Sequence, residues 1–163
     1  MGMQTDVLSY HNTVSGVAVP YRTRLKGVLI SPQASSTFSV SFCDNVAQTG
    51  TYARVSPSTT LTVTIPNHGL VDQQRVVLSF TSGTGLSDTY VATVLTANTF
   101  TVTTVASTST SGNVTMYATV LAEFDCSTGT SFYTLIPGQG VLAVNGIYAF
   151  IPSVTITTTI FYG

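Results

Sequence analysis

Charged side chains are scarce in this chain: they make up 7% of its 163 residues, where globular proteins carry about 25%. Five Lys and Arg against six Asp and Glu give a formal net charge of -1. A nucleic-acid binder needs a clear excess of cations to neutralise phosphates, so we predict no nucleic-acid partner. A chain so poor in charge is typical of extended partner contacts, of fibrous or repeat structure, or of membrane insertion.

Long apolar runs are missing as well. A transmembrane helix needs about 20 consecutive apolar residues, whereas Thr, Ser, Gly or Pro interrupts every apolar stretch here. The first residues, Met1-Gly2-Met3-Gln4-Thr5-Asp6, also lack the basic and Leu-rich segments of a secretory signal. The sequence therefore predicts neither membrane insertion nor export by that route.

Cysteine and histidine, the residues of most metal and nucleophilic sites, occur twice each. Cys43 and Cys126 are too far apart for a Cys-x-x-Cys site, so they are interpreted as buried free thiols. A disulfide formed late is the alternative if their two strands pair. His68 lies in a Pro-Asn-His-Gly turn and is interpreted as a turn residue, and His11 as a solvated or interface residue. We predict no enzyme activity, no metal and no cofactor.

What the chain does have is Ser and Thr alternating with aliphatic and aromatic residues, the period-two pattern of β-strands. Leu61-Thr62-Val63-Thr64-Ile65 places three apolar side chains on one face and two threonines on the other. The other predicted strands are 27–30, 38–42, 75–80, 90–95, 100–105, 113–118, 119–124, 132–136, 147–151 and 154–160. No window shows helical spacing with caps, so the fold class predicted is all-β.

Turn residues separate these strands at short intervals. Asn145-Gly146 is the strongest hairpin signal, because both residues tolerate positive φ. The polar tract Ser107–Gly112 is interpreted as a long hairpin loop between two strands. Together the pattern predicts an antiparallel sandwich of jelly-roll type, formed by residues 1–54 and 118–163, with a small β-barrel module inserted at 55–117.

Four short segments carry a resemblance to known proteins: Asn67-His68-Gly69-Leu70, Gln74-Arg75-Val76, Asp88-Thr89-Tyr90 and Asn98-Thr99-Phe100-Thr101-Val102. This series resembles a module of phage structural proteins, and more distantly the small β-barrel domain of ubiquitin-activating enzymes. Here Asp88-Thr89 precedes Tyr90 where that module has Gly-Thr. The flanking segments Arg24–Val28, Ile136–Leu142 and Ile160–Gly163 resemble small virion proteins of marine and cyanobacterial tailed phages. The resemblance implies a virion component.

Two pairs of charged residues at i, i+2 are candidate sites, because such pairs share one face of a strand. Glu123 and Asp125 could hold a hard cation or act as a glycosidase-like pair, with a solvated face or an ion pair with arginine as the alternative. Arg22 and Arg24 could clamp a carboxylate of a neighbouring subunit, with ordinary surface charge as the alternative. With Phe161 and Tyr162 they form the predicted interface, because arginine and aromatic residues are enriched at oligomer interfaces.

The function predicted from these observations is that of a phage capsid decoration, or cement, protein that resides in the virion. Its partners would be the major capsid protein or other virion proteins, and further copies of itself in a trimer. A tail, neck or fibre subunit is one alternative, and a host-surface recognition module whose inserted domain binds polysaccharide is another.

Overall fold

A computed structural model describes residues 7–32, 38–126, 130–152 and 156–163. Within these ranges every regular element is a β-strand, and all strand pairs with an assigned register are antiparallel. The all-β prediction is therefore confirmed. No helix in the part of the chain described here has the length and apolarity of a membrane span.

The chain divides into two compact units. The discontinuous unit comprises Met1–Asn45 and Leu121–Gly163, and the inserted unit comprises Val46–Val120. The strands of the discontinuous unit are β1 (Leu8–Asn12), β2 (Gly16–Val19), β3 (Thr23–Pro32), β4 (Phe38–Asp44), β12 (Val120–Cys126), β13 (Phe132–Leu135), β14 (Val141–Ala143), β15 (Ile147–Phe150) and β16 (Ile156–Tyr162). The strands of the inserted unit are β5 (Ala47–Arg54), β6 (Thr60–Thr64), β7 (Arg75–Phe80), β8 (Asp88–Val91), β9 (Thr93–Thr96), β10 (Thr99–Thr103) and β11 (Thr110–Tyr117).

The discontinuous unit is a sandwich of two sheets. One has five strands in the order β1-β16-β3-β13, with β14 also paired to β3, and the other has the order β12-β4-β15-β2. Alternation along β16 buries Ile156, Thr158, Ile160 and Tyr162 and leaves the residues between them half-buried. Ile156, Ile160 and Tyr162 pack with residues of the second sheet, such as Phe42, in one apolar core. Burying each aliphatic side chain stabilises the sandwich by about 1.5–3 kcal/mol.

The inserted unit is one seven-stranded antiparallel sheet, in the order β8-β7-β11-β5-β6-β10-β9, curled into a nearly closed barrel. In the β6–β10 pair Val63 lies opposite Phe100 and Leu61 opposite Val102, and all four are buried. The threonines between them lie on the outer face. This unit has its own core, which contains only residues between Tyr52 and Ala118.

The inserted unit begins before the predicted boundary at residue 55. Strand β5, which the sequence pattern did not predict, pairs along its whole length with β11 and also with β6. Its inward residue Tyr52 is part of the inserted unit's core. Without β5 the sheet would lose the strand that joins β11 to β6, so residues 47–54 belong to the barrel.

The predicted strand 90–95 is two strands in the structure. The chain turns at Ala92, whose backbone N–H donates to Gln74 O at 2.9 Å and whose carbonyl accepts from Gln73 N–H at 2.8 Å. Strand β8 therefore pairs with β7 and β9 with β10, so the two halves lie at opposite edges of the sheet. Strands β1, β2 and β14 were also missed, because each is short and carries little apolar alternation.

The prediction of a hairpin at Asn145-Gly146 is wrong. Strand β14, before the turn, pairs with β3 in the five-stranded sheet, and β15, after it, pairs with β4 and β2 in the other sheet. The turn is thus a corner at which the chain changes sheets. Asp44 holds it by accepting from the backbone N–H of Asn145 at 2.8 Å and from the side-chain Nδ2–H at 2.7 Å.

The tract 107–112 is not a hairpin loop either. Strand β10 pairs with β6 and β9, and β11 pairs with β5 and β7, so the flanking strands are not partners. Strand β11 already begins at Thr110, inside the tract. The polar composition misled the prediction because Ser and Thr serve equally well in loops and on the exposed face of a strand.

The separate core of the inserted unit leads to a prediction. Residues 46–120 expressed alone are expected to fold, since their apolar core and their strand pairings lie within that span. The fragment 55–117 is the matched control: it lacks β5 and should fail to fold, because β11 and β6 would lose their shared neighbour. Circular dichroism and thermal unfolding give the readout. Equal cooperativity of the two fragments would show that β5 is not part of the barrel.

Candidate functional site

The outer face of the five-stranded sheet carries apolar side chains that the core does not cover. In β3, Val28 and Ile30 are buried in the core, whereas Leu29 points to the other face and is half-buried. Cross-strand pairing places Tyr133 opposite Leu29, and places Leu135 and Phe161 on the two sides of Gly27. We call the set Leu29, Tyr133, Leu135 and Phe161 the apolar sheet face.

Gly27 makes this surface flat. A Cβ at this position would lie 3.3 Å from Leu135 Cδ2 and 3.6 Å from Phe161 Cδ2, so both side chains lean over the glycine. The Phe161 ring meets Tyr133 edge to face, with centroids 5.6 Å apart and an interplanar angle of 89°. Tyr133 is 54% and Leu135 64% exposed. The result is a continuous apolar patch on a rigid sheet, the kind of surface that marks an interaction site when exposed.

Charges in the described part of the discontinuous unit are segregated between its two sheets. The cations Arg22, Arg24 and Lys26 lie in or beside β3, whereas the acids Asp44, Glu123 and Asp125 lie on β4 and β12. The sheet that bears the apolar face therefore has a positive border. A partner that offers apolar side chains together with carboxylates would complement it.

The four residues predicted to form an interface do not lie on one surface. Arg22 is exposed but precedes β3, which begins at Thr23, so it does not share a strand face with Arg24. Arg24 is half-buried, and its Nη1–H donates to Gly140 O at 3.3 Å. Phe161 belongs to the apolar sheet face. Tyr162 points to the opposite face, into the core, and is 9% exposed.

Tyr162 packs against Tyr21, with ring centroids 6.4 Å apart. The hydrogen bond between the two side chains raises the pKa of Tyr162, and burial raises that pKa further. The phenol therefore stays neutral at physiological pH. Tyr162 is thus a core residue, and an interface formed by β16 would use Phe161 instead.

The two histidines differ in surroundings. His11 is exposed, and its Nδ1 lies 3.0 Å from Thr159 Oγ1. His68 is buried, its Nδ1 accepts from the backbone N–H of Leu70 at 3.1 Å, and its Nε2 lies 2.9 Å from Thr96 O. Because Nδ1 accepts, Nε2 carries the proton and donates to that carbonyl. Both ring nitrogens of His68 are thus committed to the backbone, as expected for a turn residue.

Glu123 and Asp125 lie on β12, and Asp125 accepts a hydrogen bond from the hydroxyl of Ser39 on the neighbouring strand β4. Glu123 also makes an interaction. Within residues 7–32, 38–126, 130–152 and 156–163, no three His, Cys, Asp or Glu side chains converge as a metal site would require. Asp125 thus belongs to the surface formed by β4 and β12.

Both cysteines are free and buried. Burial raises the pKa of Cys43 to about 12, and the charges of Glu123 and Asp44 add to the effect. Burial and the charge of Asp125 raise the pKa of Cys126 to about 11. Both thiols are protonated at neutral pH, the form that is neither nucleophilic nor metal-binding.

Three residues of the apolar sheet face, Leu29, Tyr133 and Leu135, were not predicted as site residues. A signal for them was present, because Phe132-Tyr133-Thr134-Leu135-Ile136 has apolar residues on both faces of a short strand. Such a strand must either be buried on both faces or expose one apolar face. Which of the two holds depends on the neighbouring layers and cannot be seen in the strand itself.

Comparison with known proteins finds a similarity to a solved structure only. No protein-family model matches the chain, and no curated protein matches it. Among solved structures it is similar to a phage protein, the phage phi92 endosialidase, with 23% sequence identity and a TM-score of 0.38. The match covers 84% of this chain but 22% of that one, so this chain spans less than a quarter of that protein's length.

Proposed function

We propose that this protein is a structural subunit of a phage particle, a capsid decoration protein that docks on other virion proteins through the apolar sheet face. The observation that carries the proposal is that face: a flat apolar patch on the outside of the sandwich, in which Tyr133 and Leu135 are exposed and Leu29 and Phe161 are half-buried. The phage assignment rests on the segments near residues 67–70 and 98–102, which resemble phage structural modules.

The docking energy would come from apolar burial. Fully covering one exposed Leu or aromatic side chain contributes about 1.5–3 kcal/mol, and the face offers two residues that are more than half exposed. The positive border at Arg24 and Lys26 would orient a partner that carries carboxylates. Because the patch lies on a sheet, little conformational entropy is lost on binding.

Self-association into a symmetric trimer is part of the proposal. A low net charge gives little electrostatic repulsion between copies. A closed symmetric contact would also cover β13, the last strand at its edge of the five-stranded sheet. Unpaired edge strands otherwise promote open-ended aggregation.

The proposed role is structural and non-enzymatic. The buried histidine, His68, has both ring nitrogens bound to the backbone, so neither is free to take a proton from a substrate. Purified protein incubated with phage-host polysaccharides is expected to release no reducing ends above the background rate. Sustained release that scales with protein concentration would contradict a purely structural role.

The docking proposal predicts that Leu135→Asp weakens binding to particles stripped of accessory proteins. A carboxylate at this position would be buried in the contact without a partner, at a cost of several kcal/mol. Binding is measured by co-sedimentation with the particles, and light scattering reports the oligomeric state. We expect at least a tenfold loss of binding, since about 1.4 kcal/mol is already sufficient for that.

Val14→Asp is the matched control, since Val14 is an exposed aliphatic residue of the same unit in the turn between β1 and β2. It should bind as the unmodified protein does. Equal binding by Leu135→Asp and Val14→Asp would contradict docking through the apolar sheet face. Copy number in the particle then separates capsid from tail: a number comparable with that of the major capsid protein supports decoration, and a few copies per particle would place the protein in the tail.

A further inference from the structure

A second surface, at one end of the inserted barrel, consists of three neighbouring loops. They comprise residues 55–59 after β5, 81–87 after β7 and 104–109 after β10. Antiparallel pairing places these loops at the end of the barrel opposite residues 46 and 120, where the chain enters and leaves the unit. We call them the loop end.

The loop end is held together by hydrogen bonds. Ser56 N–H donates to Ser109 Oγ at 2.9 Å, and Thr104 N–H donates to Thr59 O at 2.9 Å, which joins the first and third loops. Arg54 Nε–H donates to Thr108 O at 2.8 Å. The middle loop is tied to β11 and β5 through Thr84 N–H to Thr110 Oγ1 at 3.0 Å and Gly85 N–H to Tyr52 Oη at 2.9 Å. These bonds order the loops before any ligand arrives, which lowers the entropy cost of binding.

The chemistry of the loop end is unusual for a protein surface, because none of its residues is charged. Three aliphatic side chains are prominent: Val55 is 75%, Leu86 58% and Val105 90% exposed. Most other side chains of the loops are Ser or Thr. The nearest cation, Arg54, is 5% exposed and lies beneath the loops, where its guanidinium also bonds the hydroxyl of Thr104.

We propose that the loop end binds an uncharged polysaccharide. A protein partner would usually bring a surface with roughly 25–35% charged residues. Burying those charges against loops that have no charge to pair with them would cost free energy of binding. A neutral polysaccharide has no such charges. Its hydroxyls can exchange hydrogen bonds with the Ser and Thr side chains, and its C–H faces can pack on Val55, Leu86 and Val105.

This proposal concerns a different unit from the docking surface and does not depend on it. The test uses the full-length protein in native gel electrophoresis through gels that contain a neutral polysaccharide, with dextran, mannan and galactomannan as probes. Parallel gels contain the anionic polymers alginate and dextran sulfate. We expect at least one neutral polymer to retard the protein, and Val55→Asp and Val105→Asp each to weaken that retardation about tenfold.

Val71→Asp is the matched control, because Val71 is an aliphatic residue of the same unit that is 69% exposed but lies in the loop between β6 and β7 at the other end of the barrel. It should leave the retardation unchanged. Circular dichroism of all three variants confirms that they are folded. The proposal is overturned if no neutral polymer retards the protein, if only the anionic polymers do, or if Val71→Asp weakens retardation as much as Val105→Asp. It is also overturned if the Val105→Asp change abolishes a dimer of the free protein, which would make the loop end a self-association surface.

Discussion

Gly146→Ala is expected to lower the free energy of unfolding of the discontinuous unit by about 4 kcal/mol, among the largest effects that one methyl group can have. Gly146 has a φ of 102°, and a Cβ there would lie 2.1 Å from Val19 O. That oxygen belongs to the backbone of β2, which cannot rotate away. The corner between the two sheets would have to open, and with it the bonds that Asp44 and Asn45 make to residues 145 and 146. Thermal unfolding followed by circular dichroism measures the effect.

Gly138→Ala is the control for this prediction, since Gly138 belongs to the same unit and also has a positive φ, 68°, but no atom lies within 4 Å of its added Cβ. Gly138→Ala should lower the free energy of unfolding only by the cost of placing alanine at a positive φ, about 1–2 kcal/mol. The difference between the two variants isolates the contact with Val19. Similar losses in both would mean that backbone conformation alone is responsible and that the corner tolerates a methyl group.

His68→Ala is expected to destabilise the inserted unit by about 2–4 kcal/mol. The substitution leaves Leu70 N–H and Thr96 O without their partners, at 3.1 and 2.9 Å in the unmodified chain. It also removes the edge-to-face contact with the buried Phe100 ring, whose centroid is 5.3 Å away. Chemical denaturation of the fragment 46–120 or of the full-length protein gives the free energy of unfolding.

The other histidine provides the matched control. His11→Ala removes an exposed ring with one hydrogen bond to Thr159, so the expected change is within about 0.5 kcal/mol. If His68→Ala proved as mild as His11→Ala, the ring would not be the element that holds the Pro66–Leu70 turn. A loss of particle binding with unchanged stability would assign His68 a role in recognition.

Much of the fold can be predicted from local pattern. The strand Leu61–Ile65 alternates between apolar and threonine residues, and its partner Phe100–Val102 does the same, so the buried face of each can be assigned before any pairing is known. Strand β7 lies at 75–80, as predicted. Short strands such as β14 were not predicted, because three residues are too few to show the alternation of a strand.

Pairing could not be predicted from the same signals. Asn145-Gly146 has the composition of a hairpin turn, yet the strands on its two sides belong to different sheets. The two-residue hairpin turns favoured between strands require positive φ, and the corner between layers also uses it, with a φ of 102° at Gly146, so a glycine here suits either arrangement. The partner that decides between them here, Asp44, lies 101 residues away in sequence.

The candidate site, too, could be predicted only in part from local pattern. Phe161 was predicted as an interface residue and lies on the exposed face, whereas its neighbour Tyr162 lies in the core, because successive residues of a strand point to opposite sides. Which of the two alternating sets of side chains faces outward depends on where the second sheet packs. Leu29 and Tyr133 join Phe161 only through the pairing of β3 with β13 and β16.

The sequence by itself determined the all-β class, the scarcity of charge and the turn role of His68, because each depends on residues that are close together along the chain. Only the tertiary structure decided which strands share a sheet, where the inserted unit begins and which apolar side chains remain exposed. Those properties arise from contacts between distant segments: β5 belongs to the barrel because β11 and β6 lie on either side of it, and Leu135 is exposed because the pairing of β13 with β3 places its side chain on the face opposite the core.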